Sequence, residues 1–455
     1  MIAIVVSRAD SASEHVGEAL LDLANWTEHR DERRPDGEGG GTYYRTDGFE
    51  LRTFDELHIY LDRPDAAFDD PDLLIVVSRH SGETGPLLTA HFTGNFGDAE
   101  YGGTAGQFAR ACPNAAAEAV SALAEHAPPE YDVGTECTHH GPTDVGVPSM
   151  FVELGSDEAQ WGDPAGARAV ARAVLDLRGV AADRDKQVAG FGGGHYAPRF
   201  GRVVRETAWA VGHVGADWGL EAMGNPATNR EVLRRAVEAS GTDTVLVEGG
   251  HPGLTEVLTD LGYRVVTETW LRETSAHPVP VVEAVEDRLA GVSEGLRFGE
   301  VVPSVAEDGD AGDAVVVTDL PTALVDAAHG VDADAARGAV AASAVAFETT
   351  EGGTRPRGRV ALPAADPAAA AETMTDALAA VLREAYDEVI RRDDQVVART
   401  EAFDPSAAHE LGVPEGPAFG RLADGQAVEI DGERIEPTAV RTERVDRFPV
   451  VEAAE

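Results

Sequence analysis

Two short segments of this 455-residue chain carry side chains able to do chemistry. One is Glu136-Cys137-Thr138-His139-His140-Gly141-Pro142. The other is Gly192-Gly193-Gly194-His195-Tyr196-Ala197-Pro198-Arg199. Turns of Gly and Pro hold the backbone in shapes few residues allow. Imidazoles on such turns are placed to bind metal or to move protons. His80, His91 and His213 also lie in the first 215 residues. Zinc takes three or four N, O or S ligands in a tetrahedral array, which imidazoles from separate loops can supply. No HExxH or paired CxxC spacing is present, so any ligand set has to converge in space.

The metal candidates are therefore His80, His91, His139, His140 and His195, with Glu136 as an oxygen ligand. The catalytic candidates are His80, His139, His140, His195 and Glu136, and Glu153 is a second carboxylate to consider as a base. In an extended segment neighbouring side chains point to opposite faces. Glu136, Thr138 and His140 then share one face, and Cys137 and His139 the other. His139 and His140 reach one ion only if the chain turns, which Gly141-Pro142 allows. Cys137 reads as a buried, inert thiol. Ser78 and Ser81 flank His80 but lie in no GxSxG elbow, which disfavours a Ser–His hydrolase. The triple glycine reads either as an anion nest or as a tight turn. It is neither GxGxxG nor a Walker sequence. Arg79 and Arg199 stand beside the histidine-bearing turns and can pair a phosphate or a carboxylate.

The elements that must position these residues alternate between strand and helix. Residues 1–7 read as strand, followed by a helix to about Trp26 capped by Ser11 or Ser13. Glu28–Gly41 reads as loop, and Asp47-Gly48 joins two hairpin strands. Strands are expected at 57–61, 73–77, 88–92, 131–138, 149–154, 187–191, 244–247 and 263–269. Helices are expected at 114–126, 164–177, 229–239 and 254–261. This pattern predicts an α/β fold, a mixed-sheet sandwich. Ligands in open α/β sheets bind beyond the carboxyl ends of strands. Ser78-Arg79-His80, Thr93-Gly94-Asn95 and Gly192-Gly193-Gly194 all follow expected strands, which points to one composite site. Near residue 278 the character changes, so the expected domains are 1–277 and a smaller, accessory α+β domain at 278–455. In the latter, 305–313 reads as loop, the stretch from 361 leads into a helix ending near Arg392, and 416–437 reads as β.

Composition bounds the setting. No apolar run approaches the roughly 18 residues of a membrane span, and Met1-Ile2-Ala3-Ile4-Val5-Val6 has no positive n-region, so it reads as strand and not as a signal peptide. Two cysteines, Cys112 and Cys137, make no disulfide framework, which fits a reducing cytoplasm. Net charge is −44, from 81 acidic and 37 basic residues, and Lys186 is the single lysine. At molar salt the Debye length is about 3 Å and self-repulsion is screened. The charge thus reads as adaptation to a salt-rich cytoplasm. A monomer with no obligate protein partner is expected.

Over about residues 1–275 the chain resembles the archaeal and plant type of D-aminoacyl-tRNA deacylase. The resemblance rests on Ser78-Arg79-His80, His91-Phe92-Thr93-Gly94-Asn95, Thr138-His139-His140-Gly141-Pro142, Phe151-Val152-Glu153-Leu154-Gly155-Ser156 with Trp161, and Gly192-Gly193-Gly194-His195-Tyr196-Ala197-Pro198. It implies hydrolysis of the ester joining a D-amino acid to the terminal ribose of tRNA, with zinc as cofactor. It also implies a fold related to peptidyl-tRNA hydrolase and phosphorylase-like proteins. For such a substrate Thr93, Asn95 and Tyr196 are candidate partners of the α-amino group and the ribose hydroxyls, with Arg79 and Arg199 as a local basic patch and Tyr196 as a stacking platform. The rival functions are a nucleoside-phosphorylase-like enzyme, a peptidyl-tRNA hydrolase and a non-catalytic tRNA-binding protein.

Overall fold

The structure is a computed structural model, described here for residues 1–305 and 309–450. The chain divides into two compact units, Met1–Ser275 and Ala276–Glu455. No helix among the described residues is long and apolar enough to cross a membrane.

The N-terminal unit is built on an eight-stranded mixed sheet. Its spatial order is Thr27–Asp31, Gly41–Thr46, Phe49–Phe54, Ile2–Ser7, Leu73–Arg79, Ser149–Gly155, Leu87–His91 and Asp132–Thr135. The central strands run parallel, whereas Leu87–His91 runs antiparallel to Ser149–Gly155. Strand side chains alternate between faces, and here the two faces differ in kind. Ile4, Val77, Val152 and Leu154 meet the helices Ser11–Leu23, Pro113–His126 and Pro164–Asp176 in the largest apolar core. Ala3, Val5, Val76 and Phe151 pack on the other face against Phe54 and Phe68. A second, all-parallel sheet has the order Ala210–Gly215, Gln187–Phe191, Thr244–Val247, Arg264–Val266. Helices Arg230–Ala239 and Pro252–Asp260 cover it through Leu233, Val237, Leu254 and Leu258. The unit is thus mixed α/β.

The C-terminal unit is antiparallel. Its four-stranded sheet has the order Arg297–Phe298, Ala346–Thr350, Arg355–Pro363, Val315–Asp319, and helices Thr322–Val331, Ala333–Ala341 and Pro367–Leu382 share its core. A three-stranded sheet of Glu388–Arg391, Gln395–Phe403 and Arg441–Pro449 and a hairpin at Val428–Ile430 and Glu433–Ile435 complete it.

Several elements differ from expectation. Residues 57–61 form a single 3-10 turn, His58–Tyr60, and not a strand. Thr27–Asp31 is an edge strand inside the expected loop, paired to Gly41–Thr46. The strand expected to Thr269 stops at Val266, because the Thr267 hydroxyl caps the helix Glu268–Glu273;. The helix expected to reach Arg392 ends at Leu382. The β-branched Val389 and Ile390 pair instead with Ala398 and Val397;. Residues 417–423, expected as β, form a helix with Pro417 at its first turn;. Of the loop expected at 305–313, residues 306–308 lie outside the described residues.

Candidate functional site

The site grows from the sheet face opposite the large helices. Ser78 and Thr89 pair with Glu153 in the ladder, and His91 pairs with Phe151. Ladder partners point to the same side, so Ser78, Glu153, Phe151 and His91 share that face. Glu153 interrupts an apolar strand, yet its carboxylate is buried. The Ser78 hydroxyl donates to it over 2.8 Å. His91 Nε2 stands 3.5 Å from the same oxygen without the alignment of a hydrogen bond.

The next strand end supplies His80. Asp10 caps the helix Ser11–Leu23 with one carboxylate oxygen and accepts the Arg79 backbone N–H with the other. The Trp161 indole donates to the His80 carbonyl at 2.9 Å. Together these fix His80 with Nδ1 3.2 Å from Glu136 and 3.7 Å from Glu153. Burial opposes a charged ring there, but the carboxylates, Glu136 first, outweigh it and raise His80 to about 10. Its Nε2 lies 3.3 Å from the Tyr196 hydroxyl.

The segment Glu136–His140 bridges the two sheets. The Glu136 amide donates to Ala90 in the first, and the Thr138 amide donates to Val214 in the second. The Cys137 amide donates to the His195 carbonyl. The turn that brings His139 and His140 together lies at His140 itself, whose φ is +42°. Their rings stand 4.4 Å apart and both reach His91, at 4.3 and 5.0 Å. Gly141 fits because it carries no Cβ: one would overlap the Gly103 amide nitrogen and the Ile59 carbonyl oxygen. Gly141→Ala is therefore expected to cost about 1–3 kcal/mol. A thermal melt at high KCl checks this; an unchanged Tm would show that the loop yields.

Three imidazoles are oriented by their backbones, and two of them, His139 and His140, are held neutral. Nδ1 of His91, His139 and His140 lies 3.1, 2.8 and 2.6 Å from the carbonyls of Phe92, Cys137 and Gly141. Such a bond fixes the Nδ1–H tautomer and leaves the Nε2 lone pair free, as in metal-binding histidines. One ring nitrogen from each of the three lies within 4.8 Å of the others. Among the described residues His91 Nε2 has no aligned hydrogen-bond partner, and it stands 3.5 Å from Glu153; burial opposes a charged His91 ring, but Glu153 outweighs it and raises the His91 pKa;. Burial, with His91 adding to it, depresses His140 to about 3 and His139 well below its ordinary value. A divalent metal fits this donor set. Two other groups, Cys137 with His139 and His195, and His80 with Glu136 and Glu153, also bring ligand atoms within that distance. Burial and the neighbouring Glu136 push the Cys137 thiol up to about 12, which makes it the poorer ligand. Glu136 accepts from His195 Nε2 at 2.8 Å. Burial opposes its charge, but His195 and His80 hold the carboxyl well below the usual range.

His80, Glu136, His139, His140, Glu153 and His195 line one cavity of about 810 Å³, and His91 and Cys137 are not among its described lining residues. Arg79, Asn95, Asp98, Glu100, Tyr101 and Trp218 line it too. Other sequence candidates fall differently. His213 is buried away from the cavity between the Thr138 hydroxyl and the Ala109 carbonyl, at 3.0 and 2.8 Å. The Thr93 hydroxyl is buried and donates to Pro142, and the Asn95 amide donates to Gly102, so each braces a loop. Arg199 does not join Arg79 in a basic patch. Glu268 holds it at 3.0 Å, together with Arg202 and Arg272, in a separate cluster. Tyr196 lines a different groove, and its ring meets the site edge-on at His80 and His195. The triple glycine is a tight turn and no nest: the Gly193 amide already donates to Asp217 over 3.0 Å, and the Glu248 carboxylate crowds the same residue.

Two site residues have no motif in the sequence. His58 lines the cavity edge-on to Phe151 and is depressed to about 4 by burial. Trp218 stacks on His195 at 6.3 Å. The charged residue within the apolar run Met150–Leu154 was the available signal for Glu153.

A family profile described as D-aminoacyl-tRNA deacylase matches residues 67–266. A protein of Halorubrum lacusprofundi named D-aminoacyl-tRNA deacylase is 56% identical, over 99% of this chain and 97% of its own length. One of Natronomonas pharaonis with the same name is 54% identical over 98% and 100%. One of Methanococcoides burtonii is 30% identical over 96% and 94%. These similarities include the C-terminal unit. A crystal structure of a conserved protein of unknown function is similar with TM-score 0.54 and 29% identity, over 60% of this chain and 96% of that one.

Proposed function

The chain belongs to the D-aminoacyl-tRNA deacylase family, and on that premise we propose that it hydrolyses the ester between a D-amino acid and the terminal ribose of tRNA, with zinc as cofactor. The observation that carries this reading is the convergence of His91, His139 and His140 beside the buried carboxylates Glu136 and Glu153, at a cavity lined by His139, His140 and both carboxylates. Pockets of about 300–1,000 Å³ suit ligands of a few hundred daltons, and an aminoacyl-adenosine end is of that size.

Zinc held by His91, His139 and His140 would polarise the ester carbonyl and lower the pKa of water toward about 7. The protein's own groups do the rest. His80 keeps a proton at Nε2, beside the Tyr196 hydroxyl, for the ribose oxygen released as the ester breaks. Glu136 anchors His80 and His195 from one carboxylate. Asp98 and Glu100 offer negative charge to the free α-ammonium, and Arg79 offers positive charge to the 3′ phosphates. Every residue named here belongs to Met1–Ser275, so Ala276–Glu455 is accessory in this reading. The kinship with peptidyl-tRNA hydrolase and phosphorylase-like folds is part of the same proposal, supported by the mixed sheet with one helix-covered face.

The test is a deacylation assay with matched D- and L-aminoacyl-tRNA at high KCl, with and without chelator. Cleavage of the D form, slow or no cleavage of the L form, loss on chelation and recovery with zinc are expected. Equal rates on both enantiomers would refute chiral selection. Full activity in a metal-free preparation would refute the role of zinc.

A further inference from the structure

Trp218 leaves 49% of its surface exposed at the rim of the cavity, and Tyr101 leaves 65%. A large aromatic ring open to solvent at the rim of a cavity offers a flat apolar face on which a planar ligand can stack. Trp218 is carried by the helix Asp217–Met223, and Gly219 and Ala222 of that helix line the same cavity. The loop that carries Tyr101 packs directly on this helix: a Cβ on Gly97 would come within 2.8 Å of Ala222 Cβ, and Phe96 lies against Gly219. The two rings therefore belong to elements locked together.

The side of Trp218 toward the site is occupied. Its ring lies 26° from parallel with His195, whose Nε2 is hydrogen-bonded to Glu136. Charge nearby does not favour phosphate: Asp98 and Glu100 share the wall, and Arg79 is the one arginine among the described lining residues. A nucleobase needs no charge partner. Every base has a π-face that stacks on an aromatic ring, and stacking survives at the salt concentration the composition implies, where phosphate contacts weaken.

We propose that Trp218 is the stacking platform for the terminal nucleobase of the tRNA 3′ end, with Tyr101 as a second ring on the same cavity. This rests on the D-aminoacyl-tRNA reading. A base on Trp218 sits one ring away from His195 and Glu136, which directs its aminoacylated ribose toward the histidine cluster. The platform assigned to Tyr196 by sequence belongs instead to Trp218, because Tyr196 is held edge-on to His80 and His195 and lines another groove.

The experiment pairs kinetics with binding at high KCl, on wild type, Trp218→Phe and Trp218→Ala. Trp218→Ala is expected to raise KM for D-aminoacyl-tRNA by about 5- to 150-fold, with kcat moving by less than about threefold. Trp218→Phe, which keeps a π-face, is expected to recover most of the loss. An uncharged CCA trinucleotide, titrated to millimolar, is expected to quench wild-type tryptophan fluorescence and not that of Trp218→Phe. A KM within twofold of wild type in Trp218→Ala overturns the proposal, as does quenching that is absent in wild type or undiminished in Trp218→Phe. Self-association of wild type that disappears in Trp218→Ala would overturn it in favour of a second copy. The trinucleotide titration needs no ester cleavage. Trp218-dependent binding by a protein inert toward D-aminoacyl-tRNA would sink the deacylase reading and leave the platform standing.

Discussion

Glu136→Gln is expected to lower kcat for D-aminoacyl ester cleavage by about 10²–10⁴-fold, the range associated with positioned acid–base groups. The substitution keeps shape and removes charge. Glu136 is the larger of the two carboxylate contributions that keep His80 protonated, and it accepts from His195 Nε2 at 2.8 Å. Without it His80 depends on Glu153 alone, and the proton that the departing ribose oxygen needs is held less well. KM is expected to move less, because the carboxylate is buried beneath the imidazoles. A buried charge stripped of its partner also destabilises, by about 3–5 kcal/mol, so a melt must accompany the kinetics to separate misfolding from lost chemistry. Glu136→Asp, which keeps the charge but draws it back, is expected to fall between. If a folded Glu136→Gln protein retains kcat within threefold of wild type, the carboxylate has no part in the reaction.

Lowering KCl from molar to about 0.05 M is expected to unfold the protein at 25 °C, and returning the salt to restore it. The net charge of −44 is set by 81 carboxylates against 37 arginines and lysines. Many arginines are already committed. Arg234 lies between Glu231 and Glu238, and Glu268 alone engages Arg199, Arg202 and Arg272. The unpaired excess is negative, and its repulsion reaches about 10 Å at 0.1 M salt and 30 Å at 0.01 M, against 3 Å at 1 M. Exposed ion pairs strengthen as salt falls, but each contributes only about 0–1 kcal/mol, and they are outnumbered. Circular dichroism across a KCl series checks the prediction; a melting temperature independent of salt would contradict it.

What could be read in advance followed from local chemistry. Gln187–Phe191 and Thr244–Val247 stand where a short apolar run meets turn residues on both sides. Leu57–Leu61 misleads because its apolar residues imitate a strand, whereas the chain there turns to pack His58 beneath Phe151. Val389 and Ile390 could have extended a helix and were captured by a strand partner. In the site, Glu136, His80, His139, His140 and His195 were legible because each lies on or beside a Gly- or Pro-bearing turn. The same rule drew in His213, which a hydroxyl and a carbonyl satisfy inside the core. Whether Arg199 faces substrate or Glu268 depends on a residue 69 positions away. No local pattern carries that information.

The alternation along Ser149–Gly155 places Phe151 and Glu153 on the side of the candidate site and Val152 and Leu154 against the helices. Insertion or loss of a single residue in this strand would exchange the two faces wholesale. Glu153 would enter an apolar core without Ser78 or His91, a burial costing several kcal/mol, and Leu154 would plug the reaction chamber. Fold and chemistry are thus encoded in the same parity, odd positions for one and even for the other. Side chains on this strand can be exchanged one at a time, but its length cannot drift, so a frame of seven residues guards stability and turnover by one constraint.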